Sequence, residues 1–359
     1  MALASNSPGP YQLSEKTING QRHTILAGPP LIEMGLILNG PQYKLAAYQE
    51  LQQAGFNTVV LLHMEANGDA PPAIFSLPSP DATRDDWQVI TAYDIFPQDH
   101  FVGLAYLHTA RQEKLPFVLY HHAPHATLHA AEAFQVMQKA KDLSALYISF
   151  PYNAALGASG VMHEGPISFM QGLPGISYLA EELIVSRDIE LVRAVRHKVH
   201  FHQVSGKRSI ELIRRAKQEG LPITCGTSAA HLLYTEEAAA NFQVRAKCLP
   251  PLRTEEDRQA LLAAVKDHTL DCLSLGHYGT SPHQQDFMQA PFTSMAPAEI
   301  LPRLYQQLVQ PGIIGLDDLM RLWSEGPQHI LAGTAADLTL TAGKSTLSSP
   351  PTHHWDLSC

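Results

Sequence analysis

Short apolar runs alternate with amphipathic stretches along the chain from about Leu26 to about Trp323. Most of the apolar runs are rich in Leu and β-branched residues and are bounded by Gly, Pro or Asn, a pattern typical of buried strands. This pattern predicts strands at residues 31–38, 58–62, 117–120, 145–150, 199–204, 222–225 and 272–275.

Between the predicted strands, several stretches carry apolar residues at the spacing of an α-helix. They are residues 43–54, 128–141, 180–196, 209–220 and 255–267. Thr254 precedes three acidic residues and is a suitable N-cap for the last of these helices. Roughly eight strand–helix units in about 300 residues predict an α/β fold, a (β/α)8 TIM barrel. No GxGxxG string follows an early strand, which disfavours a dinucleotide-binding sheet.

The two ends of the chain differ from this repeating central part. We expect residues 29–330 to form the barrel, residues 1–28 to supply the N-terminal segment of a reduced β unit, and residues 331–359 to supply its C-terminal segment and a tail. Residues 18–26 and 336–340 are the segments expected to pair within this unit. The tail is rich in Ser, Pro and Thr, and Trp355 is the side chain expected to anchor it.

The composition excludes several classes of function. The chain has 359 residues, 45% of them apolar, and a formal net charge of -9, so it lacks the basic surface that nucleic-acid binding needs. No run of about 18 apolar residues predicts a membrane span, and the N-terminal stretch lacks the apolar core of a signal peptide. The cysteines are scattered without CxxC spacing, which is typical of reduced thiols. We therefore expect a cytoplasmic protein that binds neither nucleic acid nor membranes.

Several stretches carry a resemblance to a known family. Residues 208–233, 249–258 with the string PPLRTEEDR, and 275–292 resemble the second half of dihydroorotases, members of the amidohydrolase superfamily. The string PLIEMGLILNGP at 30–41 is similar to the first-strand motif D-x-H-x-H-L-R-E-P of that family. The string MHEGPISFMQGLPGISYLAEE at 162–182 resembles the inactive dihydroorotase-like subunits found beside bacterial aspartate carbamoyltransferase. The resemblance implies an amidohydrolase-type barrel whose site lies at the carboxyl ends of the strands.

The same resemblance implies that the metal site of the family is degenerate in this chain. Active members bind zinc through His and Asp side chains, and the metal activates a water. The positions that match metal ligands hold Gly35, Ile37, Phe150, Gln203 and Gly276, and those that match substrate contacts hold Asn39 and Leu249. No position matches the bridging lysine; the nearest segment, LYHHAPH at 119–125, offers histidine, and His283 also remains.

Two functional hypotheses follow from this comparison, and a third, a barrel that binds a small molecule without chemistry, stays open beside them. The first is a pseudoenzyme without catalysis, metal or cofactor, which forms a heteromer with the catalytic chain of aspartate carbamoyltransferase in pyrimidine biosynthesis. The alternative is a zinc-dependent cyclic amidohydrolase with a remodelled site around His200, His202 and His277. His200 and His202 are two residues apart on a predicted strand, so both side chains point to the same face.

Overall fold

The computed structural model of the protein describes residues 10–40, 43–64, 87–94, 107, 116–121, 127–279, 286–337 and 352–358. The strands lie as follows: β1 (Gln12–Ile18), β2 (Gln21–Gly28), β3 (Leu31–Leu38), β4 (Phe56–Met64), β5 (Gln88–Asp94), β6 (Phe117–His121), β7 (Tyr147–Ser149), β8 (Met162–His163), β9 (Gly175–Ile176), β10 (Val199–Phe201), β11 (Ile223–Ser228), β12 (Cys272–Ser274), β13 (Gly276–Tyr278) and β14 (His353–Asp356).

The described helices alternate with the strands of the barrel. They are α1 (Lys44–Gln53), α2 (Ala130–Leu143), α3 (Ala154–Gly157), α4 (Pro166–Gln171), α5 (Leu179–Val195), α6 (Lys207–Gln218), α7 (Ala229–Leu233), α8 (Glu255–Lys266), α9 (Pro297–Leu304), α10 (Leu316–Arg321) and α11 (Glu325–Leu331). Short 3-10 segments at Glu236–Phe242 and Val244–Ala246 follow α7. None of the helices in the described ranges has the length and apolar character needed to cross a bilayer.

A parallel sheet of eight strands closes into the barrel. Its last strand is split into two parts, β12 and β13, and each part pairs with a different neighbour. β12 pairs with β11, and β13 pairs with β3, the first strand of the barrel. Leu275 lies between the two parts and belongs to neither ladder. The strand order β12-β11-β10-β7-β6-β5-β4-β3-β13 therefore starts and ends on one stretch of chain. The predicted TIM barrel is confirmed.

Side chains of alternate strand residues separate into two apolar layers. Leu36 and Leu119 pack outward against helix residues such as Ile189. Ile37 and Ile148 instead belong to a second cluster inside the barrel. This division follows from the two-residue period of a strand, which sends successive side chains to opposite faces. The interior layer determines what occupies the carboxyl ends of the strands.

The small β unit packs on the outside of the barrel. β1 and β14 both pair with β2 in an antiparallel sheet. Trp355 of β14 is buried and donates its indole N–H to the carbonyl oxygen of Ala54 at 2.7 Å. The prediction that residues 336–340 supply the C-terminal strand was wrong for the part described. Residues 336 and 337 are not in a strand, residues 338–340 lie outside the described residues, and the strand is His353–Asp356.

The predicted strands and helices agree with observed elements, but several observed elements were not predicted. All seven predicted strands are present, and the five predicted helices begin and end within about two residues of their predicted bounds. The Thr254 hydroxyl accepts a hydrogen bond from the backbone N–H of Asp257, as expected of an N-cap. The sequence analysis missed β5, which pairs with β4 and β6 and completes the barrel.

We expect Gly276→Ala to destabilise the protein more than Gly220→Ala. Both glycines have a positive φ, 79° and 75° respectively, so the backbone penalty is shared. An added Cβ at Gly276 meets the buried side chain of Gln203, with its Cδ 2.8 Å away, whereas nothing lies within 4 Å at Gly220. The additional loss at Gly276 should be about 1–3 kcal/mol. Urea unfolding of the two variants measures it, and equal losses would contradict tight packing at the split strand.

Candidate functional site at the carboxyl end of the barrel

The buried carboxyl group of Glu33 joins the first and last strands of the barrel. Its Oε1 accepts the backbone N–H of Gly35 at 2.8 Å and that of Leu275 at 2.9 Å. The pairing of β3 with β4 shifts register between Glu33 and Leu36, and Leu275 lies at the split between β12 and β13. Both N–H groups are therefore left out of the ladders, and Glu33 supplies the acceptor that a buried donor requires.

The second oxygen of Glu33, Oε2, has no hydrogen-bond partner, and the side chain is fully buried. Burial raises the pKa of the Glu33 carboxyl to about 8, against the smaller opposing effect of the two backbone N–H groups. The carboxyl group is therefore mostly protonated at neutral pH. A neutral carboxyl group avoids the free-energy cost of an unpaired charge in the interior.

His202 occupies the space beside Gly35. A Cβ at Gly35 would overlap Cε1 of the His202 ring, with Nδ1 2.7 Å away. His202 is fully buried, and neither of its ring nitrogens has a hydrogen-bond partner. Burial, together with the nearby His200 and His277, lowers the pKa of His202 well below its ordinary value. Any side chain at position 35 would therefore have to displace a neutral, packed imidazole.

Three apolar side chains lie at other positions that match metal ligands or substrate contacts of the family. Ile37, Phe150 and Leu249 are buried members of the interior cluster. The ring of Phe150 lies 5.9 Å from the ring of His202. Each such side chain contributes roughly 1.5–3 kcal/mol when fully buried. The barrel mouth is thus packed as a core.

The remaining degenerate positions are also occupied by structural contacts. Gln203 is buried and donates its amide N–H to the hydroxyl of Ser274 at 3.3 Å, directly beneath Gly276. Asn39 donates its side-chain N–H to the carbonyl oxygen of Phe292 at 2.9 Å, which ties the end of the first strand to a later loop. Both amides are therefore used in contacts that hold parts of the structure together.

The histidines proposed as an alternative site lie near one another but have different partners. Nδ1 of His200 is 2.9 Å from the hydroxyl of Thr224, and Nε2 is 3.6 Å from the sulfur of Cys272. Burial lowers the pKa of His200 to about 3. The rings of His200 and His202 are 6.5 Å apart. His277 lies on β13, with its ring 6.2 Å from that of Phe292.

The cavity that borders His277 is small. The cavity bordered by Gln203, His231, Leu249 and His277 has a volume of about 10 Å³, room for about one water molecule. Substrate sites commonly measure about 300–1,000 Å³. A cavity of about 600 Å³ lies beside it, and its described walls include Tyr43, Tyr234 and Tyr278 but none of the three candidate histidines.

The described residues do not fit the zinc site that the family resemblance implies. Within the described ranges, no three His, Cys, Asp or Glu side chains are grouped as a metal site requires. His202 lies where a ligand at position 35 would extend, and apolar side chains stand at positions 37 and 150. His122, His125 and His283, which belong to the other segments considered as ligand sources, lie outside the described residues.

Comparison with known proteins places this geometry in context. No protein-family model matches the chain. A dihydroorotase from Caldanaerobacter subterraneus is 37% identical over 219 residues, which cover 57% of this chain and 50% of the relative. Over these residues the chain is similar to dihydroorotases. A protein of Pseudomonas aeruginosa named dihydroorotase-like protein is 34% identical over 229 residues, covering 59% of this chain and 53% of the relative.

The sequence similarity covers only part of each relative. The chain spans about half the length of the curated relatives it matches. Among solved structures, the L-hydantoinase (dihydropyrimidinase) from Arthrobacter aurescens superimposes with a TM-score of 0.69 over 87% of this chain and 74% of that chain, at 16% identity. The likeness establishes the amidohydrolase-type barrel fold, whereas activity, substrate and partners have to be argued from the site.

Two features of the site were missed by the sequence analysis. Glu33 is a lone charged residue in an apolar strand, and that contrast is the sequence signal that points to it. Arg253, which lies just before α8, is buried and donates hydrogen bonds to Ser205, His163 and the carbonyl oxygen of Ile176. It therefore fastens the β8–β9 pair to the barrel.

A double-mutant cycle tests the contact between Gly35 and His202. Gly35→Ala should cost about 1–3 kcal/mol because the added methyl group overlaps a ring that has no room to move. His202→Ala should relieve this overlap, so that the double variant is more stable than the sum of the single effects by at least about 1 kcal/mol. Gly206→Ala is the matched control, since the nearest atom to its Cβ is 3.4 Å away. Strict additivity in urea unfolding would exclude the contact.

The pH dependence of stability should reveal the buried Glu33 carboxyl group. Its pKa is about 8 in the folded protein, against an ordinary value of 4.5 that applies to the unfolded chain. Between these values the group releases a proton on unfolding, so its contribution to stability falls as pH rises through that window. Glu33→Gln keeps the acceptor oxygen and removes the titration. Its stability relative to the parent protein should therefore increase from pH 5 to pH 8 by roughly 1.4 kcal/mol per pH unit. Chemical unfolding at several pH values measures this, and a constant difference would refute the assignment.

Proposed function

We propose that this chain is a non-catalytic, dihydroorotase-like protein of the cytoplasm that serves as a structural subunit of aspartate carbamoyltransferase in pyrimidine biosynthesis. The observation that carries the proposal is the filled barrel mouth, where Ile37, Phe150 and His202 pack together at the positions of metal ligands or beside them. A hydrolase needs space for its substrate and ligands for its metal at this place. The described residues provide neither.

The partner is suggested by one segment of the chain. The string at residues 162–182, which resembles dihydroorotase-like subunits found beside the transferase, forms β8, α4 and β9 and the start of α5. It lies on the carboxyl-end face of the barrel and is held there by Arg253 through Ile176. A segment that is firmly positioned and exposes Phe169 and Met170 is suited to contact another protein.

The second candidate is a zinc-dependent cyclic amidohydrolase with a remodelled site around His200, His202 and His277. The observation in its favour is that burial keeps His200 and His202 neutral by lowering the pKa of each, and neutral imidazole is the form that binds metals. Against it, His200 already contacts Thr224 and Cys272. The cavity bordered by Gln203 and His277 is too small for a cyclic amide.

We expect the purified chain to form a stable complex with the catalytic chain of aspartate carbamoyltransferase from the same organism. Mixtures at micromolar concentration should elute as one species whose mass, measured by light scattering, exceeds that of either protein alone. Each protein run separately is the control. Elution as two independent species, together with a transferase that is fully active alone, would remove the assembly function.

Elemental analysis of the untagged protein separates the two candidates. The pseudoenzyme proposal predicts far less than one zinc per chain and no hydrolysis of dihydroorotate. One zinc per chain, with turnover lost on chelation and restored by added zinc, would favour the amidohydrolase instead.

A further inference from the structure

A cavity of about 600 Å³ lies beside the packed barrel mouth. It forms where the first strand–helix unit of the barrel meets the last, because Tyr43 directly precedes α1 and Tyr278 ends β13. Tyr234, which follows α7, lines it as well. None of the positions that match metal ligands or substrate contacts of the family is among its described lining residues. The cavity is therefore separate from the site that the family resemblance implies.

Much of the wall of this cavity is apolar. Ala230, Cys248 and Leu252 form a buried cluster, and Tyr234 and Met295 pack against it. All five residues line the cavity. Sites for small molecules commonly measure about 300–1,000 Å³ and combine apolar and aromatic walls with a few polar groups. The cavity has the size and the lining of such a site.

Other parts of the structure hold two of the lining tyrosines in place. Gly279 has a φ of 112°, and a Cβ there would meet Cγ of the Tyr43 ring at 2.5 Å, so this ring packs directly on the backbone. The Tyr234 hydroxyl accepts a hydrogen bond from Nη1 of Arg303 at 3.2 Å. Aromatic walls that are ordered before a ligand arrives reduce the entropy cost of binding.

The charged groups at the cavity are balanced. Its described lining residues include two carboxylates, Glu50 and Glu299, and two guanidinium groups, Arg245 and Arg303. Arg303 pairs with Glu299 at 3.0 Å, and Arg245, which is exposed, also has an interaction partner. Burial and a hydrogen bond to Glu50 raise the pKa of Tyr278, so its hydroxyl stays protonated and donates to that carboxylate. A charged ligand would have to compete with these contacts or leave its own charge unpaired, whereas an uncharged ligand would not.

We propose that this cavity binds an uncharged molecule with a planar aromatic ring system. Tyrosine rings pack against such a ring face to face or edge to face, and the apolar wall removes it from water. Gln243, Thr293 and Ser294 also line the cavity and provide the few polar groups that orient a ligand. The site is independent of the assembly function, because it uses none of the degenerate positions and no residue of the segment 162–182.

Two small probes of similar shape test the class of ligand. 2-Naphthamide is planar and uncharged, and 2-naphthoate is a planar anion. We expect 2-naphthamide to bind with a dissociation constant in the millimolar range or tighter, and 2-naphthoate to bind at least about 10-fold more weakly. Saturation-transfer NMR detects binding, and calorimetric titration measures the affinity. Equal or tighter binding of 2-naphthoate would overturn the uncharged class, and failure of both probes to bind at millimolar concentration would overturn the site.

A pair of matched substitutions tests the location. Ala238 and Ala240 are both partly buried in the 3-10 segment Glu236–Phe242, but only Ala238 lines the cavity. Ala238→Phe should fill part of the cavity and weaken binding of 2-naphthamide at least about 10-fold, while Ala240→Phe should bind it as the parent chain does. Thermal unfolding of each variant verifies that it is folded. Unchanged binding by a folded Ala238→Phe variant would place the probe elsewhere.

The aromatic wall is tested at Tyr234. Tyr234→Leu removes the ring and should weaken binding of 2-naphthamide roughly 5- to 10-fold. Tyr234→Phe keeps the ring and removes only the acceptor of the Arg303 hydrogen bond, so it should bind within about 2-fold of the parent chain. Equal binding by the Leu and Phe variants would show that the ring does not recognise the ligand, and the proposed aromatic class would then be wrong.

Discussion

Closure of the barrel depends on one buried carboxyl group. The first strand shifts register between Glu33 and Leu36, and the last strand splits at Leu275. Each irregularity leaves a backbone N–H without a ladder partner, and Oε1 of Glu33 accepts both. Because an unsatisfied buried N–H costs about 1–3 kcal/mol, the two irregularities are stable only together with this acceptor. The junction between β3 and the last strand in turn determines where Gly35 and Gly276 approach His202 and Gln203, which directly follow β10.

The degenerate positions therefore behave as one packed unit. His202 fits only because Gly35 has no side chain, and Gln203 fits only because Gly276 has none. Ile37 and Phe150 pack in the interior cluster beside them. Returning a single ligand would create overlap with a neighbour before it created a metal site. The side chains at these positions are therefore coupled through their packing.

Regular periodicity made much of the fold predictable from the sequence. Contacts between residues far apart in the sequence could not be predicted in this way. Helices such as Glu255–Lys266 were located because a local cap and an apolar face specify them. The strand His353–Asp356 was assigned to the wrong segment because its pairing with β2 joins residues more than 300 positions apart. Glu33 was missed for the same reason, since its partner Leu275 is 242 residues away. Gly35 and Gln203 were identified by family resemblance, but their contacts with His202 and Gly276 depend on the closed barrel.

Apolar side chains lie both inside and outside the carboxyl-end face. Inside, Ile37 and Phe150 pack in the interior cluster. Outside, the loops between β7 and α5 expose Phe169 and Met170. Arg253 links the two regions, because it lies between Ser205 at the mouth and Ile176 of the β8–β9 pair. A packed interior beneath an exposed apolar surface supports the proposed assembly function more than it supports the proposed hydrolase.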